Sequence, residues 1–450
     1  TRPFHFLQLP LLSASMAAAA VKVTGRTHVK PAAKLGRRAY QLTTFDLPYL
    51  AFHYNQKLLL YRHRDFAAAA AALKAALAAV LKDFHQLAGR LARDDDGVFH
   101  VEYADEMDGV EFYEAAGDAI GIGDLTAEDY PADTMRDLVP YDATLNFEGL
   151  HRPLLVVQLT RLKDGLAIGC ALNHAVLDGT STWHFMSAWA SACSDSSPRP
   201  APPFLDRTTA RCGRMKMDAA MDHQPEANHG GANGAGPRLR ERLFRFPEST
   251  IDAIKSRVNA SGPTRPFTTF QCLSAHIWRA VVRARGLRPE DPTAFTVFAD
   301  CRRRLDPPLP ESYFGNAIQA VFTLAAAGEV VARPVEFAAE TIRGTVEGHD
   351  AKTIVRRNEE WERNPVIFKF QDAGVNCVSV GSSPRFRVYE VDFGWGPPES
   401  VRSGANNRFD GMVYLYQGKG GGRSIDVEMT LDAAAMGRLL EDRGFLSGGP

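Results

Sequence analysis

Residues 166–189, LAIGCALNHAVLDGTSTWHFMSAW, change hydrophobic period in their middle. Residues 166–172 are an uninterrupted apolar run of strand length, and residues 173–179 are a short break. From Thr180 onward, Trp183, Phe185, Met186 and Trp189 recur at a spacing that predicts a helix with one face in a core. A strand therefore feeds a helix through a sharp turn. His174 closes the strand side, Asp178 opens the helix side, Gly179 supplies a flexible joint and Thr180 the expected N-cap. A neutral imidazole held at such a strand end can take a proton from a hydroxyl or amine near neutral pH. Asp178, four residues on across the turn, is better placed to pair with a cation elsewhere than to share that proton. The H-x-x-x-D spacing alone is weak evidence: with 13 histidines in the chain, roughly one such spacing is expected by chance. It is equally compatible with a histidine that merely satisfies a strand-end carbonyl. A zinc set of His174, Asp178 and His184 is disfavoured, because the strand-to-helix break keeps them off one helical face. Trp183 and His184 read as core or pocket wall.

The chain of 450 residues exceeds what one hydrophobic core usually organises, so two domains are expected. Its 52 basic and 53 acidic residues give no electrostatic case for nucleic acid or an anionic membrane surface. The six cysteines are dispersed without a CxxC pair, which argues against a disulfide framework and favours a reducing, cytoplasmic location. The opening TRPFHFLQLPLLSAS loosely imitates a signal peptide, but Gln8 and Pro10 interrupt its apolar run. Residues 1–15 are read as an extension upstream of a start at Met16. No later segment has the apolar length to span a bilayer.

Residues 21–61 predict two or three strands with a loop at LTTFDL (residues 42–47), and residues 64–89 predict one long Ala/Leu helix packing a core face. DDDG at residues 94–97 reads as a solvated hairpin turn rather than a metal site. Strands at residues 154–162 and 166–172 deliver His174. Residues 194–237 are rich in Pro and Gly and predict a mobile crossover linker. A strand at residues 242–246, a helix from Glu248 to near Ala260, and a buried helix within residues 267–285 follow. His276 in that helix reads as a packed core histidine. Residues 295–300 form a strand ending in CRRR, residues 414–431 a hairpin and residues 432–445 one helix. Other chemistries fail on motif grounds. DFG at residues 392–394 lacks the rest of a kinase set, the glycines at residues 418–422 lack the Walker spacing, and no GxSxG elbow for a serine hydrolase occurs.

VDFGWG at residues 391–396 lies about 200 residues after the histidine turn. The pair HxxxDG with DFGWG resembles the BAHD acyl-CoA-dependent acyltransferases of plants. PPFLDR (202–207), the helix around residues 267–285, PPLP (307–310) and YFGN (313–316) are similar to family sequences in the same order, from about Val21 to Phe445. KVTGRTHVKP, TTFDLPYLAFHYNQKLLLY and RSGANNRFDGMVYLYQGK resemble the subgroup named for defective cuticular ridges. The resemblance implies an α/β fold of two related mixed-sheet domains of chloramphenicol-acetyltransferase-like build, with an active-site tunnel between them. The expected division is residues 16–193 for the N-terminal domain, 194–241 for the linker and 242–450 for the C-terminal domain.

The resemblance further implies acyl-CoA as donor substrate, no permanently bound cofactor or metal, and a hydroxylated small-molecule or lipid acceptor. His174 is the implied general base for direct attack on the thioester, with Asp178 paired to Arg302. Asp392, Gly394, Trp395 and Gly396 form a structural motif that shapes the cleft. Where several aromatic-acid relatives carry Thr-Ser-Trp, this chain has Gly381, Ser382 and Ser383. Two smaller side chains are expected to widen the site for a long aliphatic substrate, with Ser382 the candidate oxyanion donor. The expected activity is transfer of a fatty or hydroxy-fatty acyl group in cutin formation by a monomer. The alternatives are a hydroxycinnamoyl transferase acting on a phenolic or alcohol acceptor, and a non-catalytic member that binds an acyl ligand.

Overall fold

In the computed structural model, residues 21–130, 132–195, 198–211, 213–217, 238–367 and 376–449 are described. The expected extension at residues 1–15 and the Gly/Asn-rich part of the expected linker lie outside them.

Two six-stranded mixed sheets organise the chain. The first runs, in spatial order, Lys22–Val29, Val110–Gly117, Leu155–Leu162, Leu166–Leu172, Asn55–Tyr61 and Ser400–Ser403. The second runs Ile318–Ala326, Pro292–Asp300, Val378–Val380, Met412–Gln417, Ile425–Asp432 and Leu239–Phe246. The expected α/β class of two mixed sheets is what forms. Each sheet has its own core. Leu159, Ile168, Phe185 and Trp189 belong to the first, and Phe295, Val413 and Val427, packed with Trp278, to the second.

The strand order departs from the chain order at one place that matters. Ser400–Ser403 comes from the second half yet pairs antiparallel with Asn55–Tyr61, with Ser400 opposite Leu60 and Ser403 opposite Lys57. Leu58, Leu59, Leu60 and Tyr61 are all buried. A strand buried on both faces cannot leave its outer edge of amides and carbonyls unpaired, and this segment supplies the partners. The two halves are therefore stitched through a shared sheet. Residues 198–211 are also tied down: Phe204 bridges to Tyr313, and the guanidinium of Arg207 lies 2.8 Å from Asp46, both side chains buried.

Two expected helices are shorter than their composition suggested. The Ala/Leu helix spans Phe66–Val80, started by Asp65, whose carboxylate accepts the Ala68 amide. Phe84 then turns inward against His184, Phe185 and Phe314, so the chain leaves the helical path. The closing helix divides into Ala433–Glu441 and Arg443–Ser447 because Asp442 is extended and caps the second piece through the Phe445 amide. His276 sits in the helix Thr269–Arg285, its ring bonded to the Phe445 carbonyl and to Arg257.

Candidate active site

Strand Leu166–Leu172 ends where the apolar run ends, and side-chain amides hold the turn beyond it. Asn173 donates to the carbonyl of Asn146 (2.7 Å) and accepts the Ala175 amide (3.1 Å), while Asn146 accepts the His174 amide (2.8 Å). Asn316 donates to the His174 carbonyl (2.9 Å). The main chain of His174 is thus gripped from two directions. The imidazole stacks on Tyr49, with ring centroids 5.3 Å apart and planes 17° from parallel, and meets the edge of Phe52. Its Nδ1 is enclosed and has no hydrogen-bond partner among the described residues. Burial lowers its pKa below the ordinary histidine value, opposed by its own main-chain carbonyl and by the charge of Asp178. A neutral ring with one uncommitted edge can act as a base.

Asp178, and not Thr180, caps the helix Gly179–Ser194, accepting the Ser181 amide at 3.0 Å. The difference arises because its carboxylate is turned back into the protein. Arg302 reaches both of its oxygens, at 2.7 and 3.0 Å, and the Ala317 amide donates a fourth bond at 3.0 Å. Its side chain is 0% exposed and that of Arg302 4%. Burial alone would raise its pKa, but the Arg302 charge and these hydrogen bonds hold it below the usual carboxylate value. With four donors already satisfied, Asp178 has no lone pair to offer the imidazole. Arg302 also donates to the Gly315 carbonyl (3.0 Å) and to Ser181 Oγ (3.2 Å), joining the turn to the segment that carries Asn316.

A cavity of about 400 Å³ is lined from both halves of the chain. His174, Gly381, Ser382 and Ser383 all border it. Phe52, Trp183, Phe298 and Ile318 make apolar wall, and Asn55, Lys57 and Asn407 a polar stretch. The hydroxyl of Ser382 is enclosed without a hydrogen-bond partner among the described residues. The space expected at Gly381 is not free. A Cβ there would lie 2.2 Å from Met412 Cε and 3.1 Å from Tyr414, so the methionine occupies the volume that the missing side chain leaves.

The residues of the DFGWG motif do not border this cavity. Asp392 Oδ1 accepts the amides of Gly394, Trp395 and Gly396 at 2.7, 2.9 and 2.9 Å. Such a tight loop needs positive φ at Gly394 (+95°) and Gly396 (+87°), which glycine tolerates. Phe393 meets the edges of Trp189 and Tyr61, and Trp395 stacks on His63, so the loop docks on the first sheet's core.

Several residues that build the site carried no role in the sequence. Asn146, Asn316, Tyr49 and Phe52 fix or flank His174. Asp46 accepts from Asn316 Nδ2 (3.1 Å) as well as from Arg207, coupling the LTTFDL, PPFLDR and YFGN segments into one buried cluster. Those three strings were visible, but not that they meet. The signal for Lys57 was a cation directly before the apolar run of residues 58–61 in the strand NQKLLLY.

The family model for the Transferase family matches residues 19–446. An Arabidopsis thaliana protein, BAHD acyltransferase DCR, is 55% identical, the match covering 95% of this chain and 92% of the relative. This chain is a BAHD acyltransferase. Hydroxycinnamoyltransferase 2 of Oryza sativa subsp. japonica is 30% identical to the enzyme, over 92% of this chain and 97% of the relative. Its fold is shared with F. sporotrichioides TRI101, solved with coenzyme A and T-2, at a TM-score of 0.73 and 20% identity, covering 91% of this chain and 98% of that one. Vinorine synthase superposes with a TM-score of 0.69 at 20% identity, covering 94% and 98%. Members of the family transfer acyl groups from acyl-CoA, which makes acyl-CoA the donor class for this acyltransferase. Among the described residues no helix is long and apolar enough to cross a membrane.

Proposed function

We propose that this acyltransferase moves a fatty or hydroxy-fatty acyl group from acyl-CoA to a hydroxyl acceptor in cutin or cuticle formation. The observation that carries the reading is the His174 ring, gripped through its main chain, free at one edge and facing a cavity with a long apolar wall. The 55% identity to DCR supports the cuticular assignment.

With Nδ1 enclosed, His174 presents Nε2 to the acceptor. The hydroxyl proton passes to Nε2 as the oxygen attacks the thioester carbonyl carbon, and the carbonyl electrons move onto its oxygen. That oxyanion needs a donor, and the candidate is Ser382, which lines the cavity and whose enclosed hydroxyl has no hydrogen-bond partner among the described residues. Collapse of the tetrahedral species breaks the carbon–sulfur bond, and the coenzyme A thiolate leaves with the proton held by His174. Asp178 and Arg302 act by holding the turn, and Asp392 with Gly394, Trp395 and Gly396 by holding the loop against the first sheet. The reaction needs no bound cofactor, and the reading is of a cytoplasmic monomer.

The test is coenzyme A release across a panel of aliphatic and hydroxycinnamoyl donors with hydroxy-fatty, glyceride and phenolic acceptors. Turnover of aliphatic donors by the wild type, lost in His174→Ala, supports the reading. The 30% identity to a rice hydroxycinnamoyltransferase favours a second reading, a hydroxycinnamoyl donor with a phenolic or alcohol acceptor. Activity confined to those donors would select it. Acyl-ligand binding without turnover of any pair would point to a non-catalytic member.

A further inference from the structure

Lys57 sits in the middle of strand Asn55–Tyr61, next to the buried Leu58, and its residue is 3% exposed. It lines the same cavity as His174. Its ammonium makes one hydrogen bond, to Asn55 Oδ1 at 2.9 Å, and lies 5.7 Å from the centre of the Tyr414 ring. An ammonium carries three N–H donors, so two find no acceptor among the described residues. Among the described residues no carboxylate oxygen comes within ion-pair distance of it.

The carboxylates closest to serving it are committed elsewhere. Glu428 takes the Nε of Arg402 (2.5 Å) and the Ser403 amide (2.8 Å). Glu241 takes Arg408 (2.9 Å) and the Tyr130 hydroxyl (2.9 Å). Arg402 and Arg408 thus take up Glu428 and Glu241, and Lys57 is left without a carboxylate of its own among the described residues. Burial pushes the Lys57 pKa down to about 8, with Glu428 opposing and Arg408 adding to the fall, so the group is still cationic at neutral pH. A buried charge in this condition is stabilised by an anion that brings its own oxygens.

We propose that Lys57, oriented by Asn55, is a carboxylate-binding subsite in the wall of the acyl-transfer cavity, so that the acceptor is a hydroxylated acid taken as its free carboxylate. One ammonium beside a neutral amide suits a monoanion; of the other cations that line the cavity, Arg304 is engaged by the carbonyls of Val346 and His349, and Arg385 is exposed. The apolar wall of Phe52, Phe298 and Ile318 suits the hydrocarbon that joins the acceptor's carboxylate to its hydroxyl. The inference rests on the acyl-transfer reading above, and it makes Lys57 a specificity residue rather than a catalytic one.

The test compares a hydroxy-fatty acid with its methyl ester, which removes the negative charge and adds one methyl group. Calorimetric titration of the full-length wild-type protein, without donor, is expected to show the acid binding at least about tenfold more tightly than the ester, the size of one charge-assisted contact. This measurement needs neither turnover nor a variant, so it can succeed or fail independently of the acyl-transfer reading. In steady-state assays with an acyl-CoA donor, the acid is expected to have a KM lower by a similar factor. Lys57→Met should bring the acid-to-ester ratio of kcat/KM close to one, and Lys57→Arg should keep most of it. Equal binding of acid and ester by the wild type would overturn the proposal. So would a Lys57→Met variant that lowers both activities by the same factor, the behaviour of an oxyanion donor or a purely structural lysine.

Discussion

Replacing Arg302 with methionine isolates what holds the catalytic turn. The change removes two hydrogen bonds to Asp178, of 2.7 and 3.0 Å, and leaves a fully buried carboxylate with only the amides of Ser181 and Ala317. Breaking a buried ion pair by deleting one partner costs about 3–5 kcal/mol, a large share of the ~5–15 kcal/mol that stabilises a typical domain. Asp178→Asn strands the opposite charge and is expected to cost a similar amount. The double variant removes both charges, so its cost should fall short of the sum of the two by about 2 kcal/mol or more. The pH dependence has a definite sign. In the wild type the Asp178 pKa is held down, so its contribution is present above the ordinary carboxylate value of 3.8 and is lost as pH falls through the lower folded value. In Arg302→Met the buried acid loses the charge that held it down and its pKa rises, so the folded state binds a proton that the unfolded chain does not. The penalty should therefore shrink as pH is lowered from about 7.5 toward 5. Urea unfolding followed by tryptophan fluorescence, with slopes compared across variants, measures each quantity. A penalty below about 1 kcal/mol, or additive single variants, would refute the claim that Asp178 and Arg302 act as one buried unit.

Because burial lowers the His174 pKa, the acid limb of the kcat/KM profile should fall below pH 6.5, activity rising as pH climbs through that limb; a midpoint above 6.5 would contradict the assignment of the base. Gly381→Thr should displace the flexible end of Met412 toward the cavity and cost no more than about 1 kcal/mol in denaturant unfolding, with Met412→Ala in the same chain relieving the collision. Ser383→Trp should narrow the cavity and lower turnover of long acyl-CoA donors more than of short ones, read from relative kcat/KM across chain lengths. Asp392→Ala should strip three loop amides of their acceptor and cost about 1–3 kcal/mol in unfolding, while pH profiles of the remaining activity keep the wild-type limb.

The turn at residues 173–179 was legible because its signals are local. An apolar run ends, asparagine and glycine break it, and helical spacing resumes. The hairpin at Met412–Gln417 and Ile425–Asp432 and the buried helix Thr269–Arg285 were legible too, whereas the Thr268 and Gln271 capping box that starts this helix was not read. The ends of two helices were not, because Phe84 and Asp442 respond to partners elsewhere in the chain. Nor was the fate of the space at Gly381, since Met412 lies in a different strand and nothing in its own neighbourhood points to residue 381. Arg302 stood out only through family resemblance, as one of three adjacent arginines. The structure gives them different partners: Asp178 for Arg302, Glu311 for Arg303, and the carbonyls of Val346 and His349 for Arg304.

By itself the sequence determined that a strand delivers His174 to a turn, that Asp392 and its glycines form a tight loop, and that the chain belongs with enzymes carrying both motifs. These depend on side-chain period, turn chemistry and motif identity, which act over a few residues. Only the tertiary structure decided that residues 400–403 complete the first sheet, that Asn146 and Asn316 grip the His174 main chain, and that Lys57 is a buried cation with no carboxylate at ion-pair distance among the described residues. Each is a contact between segments far apart in the chain, set by which strand edges and buried polar groups remain to be satisfied once the sheets have packed.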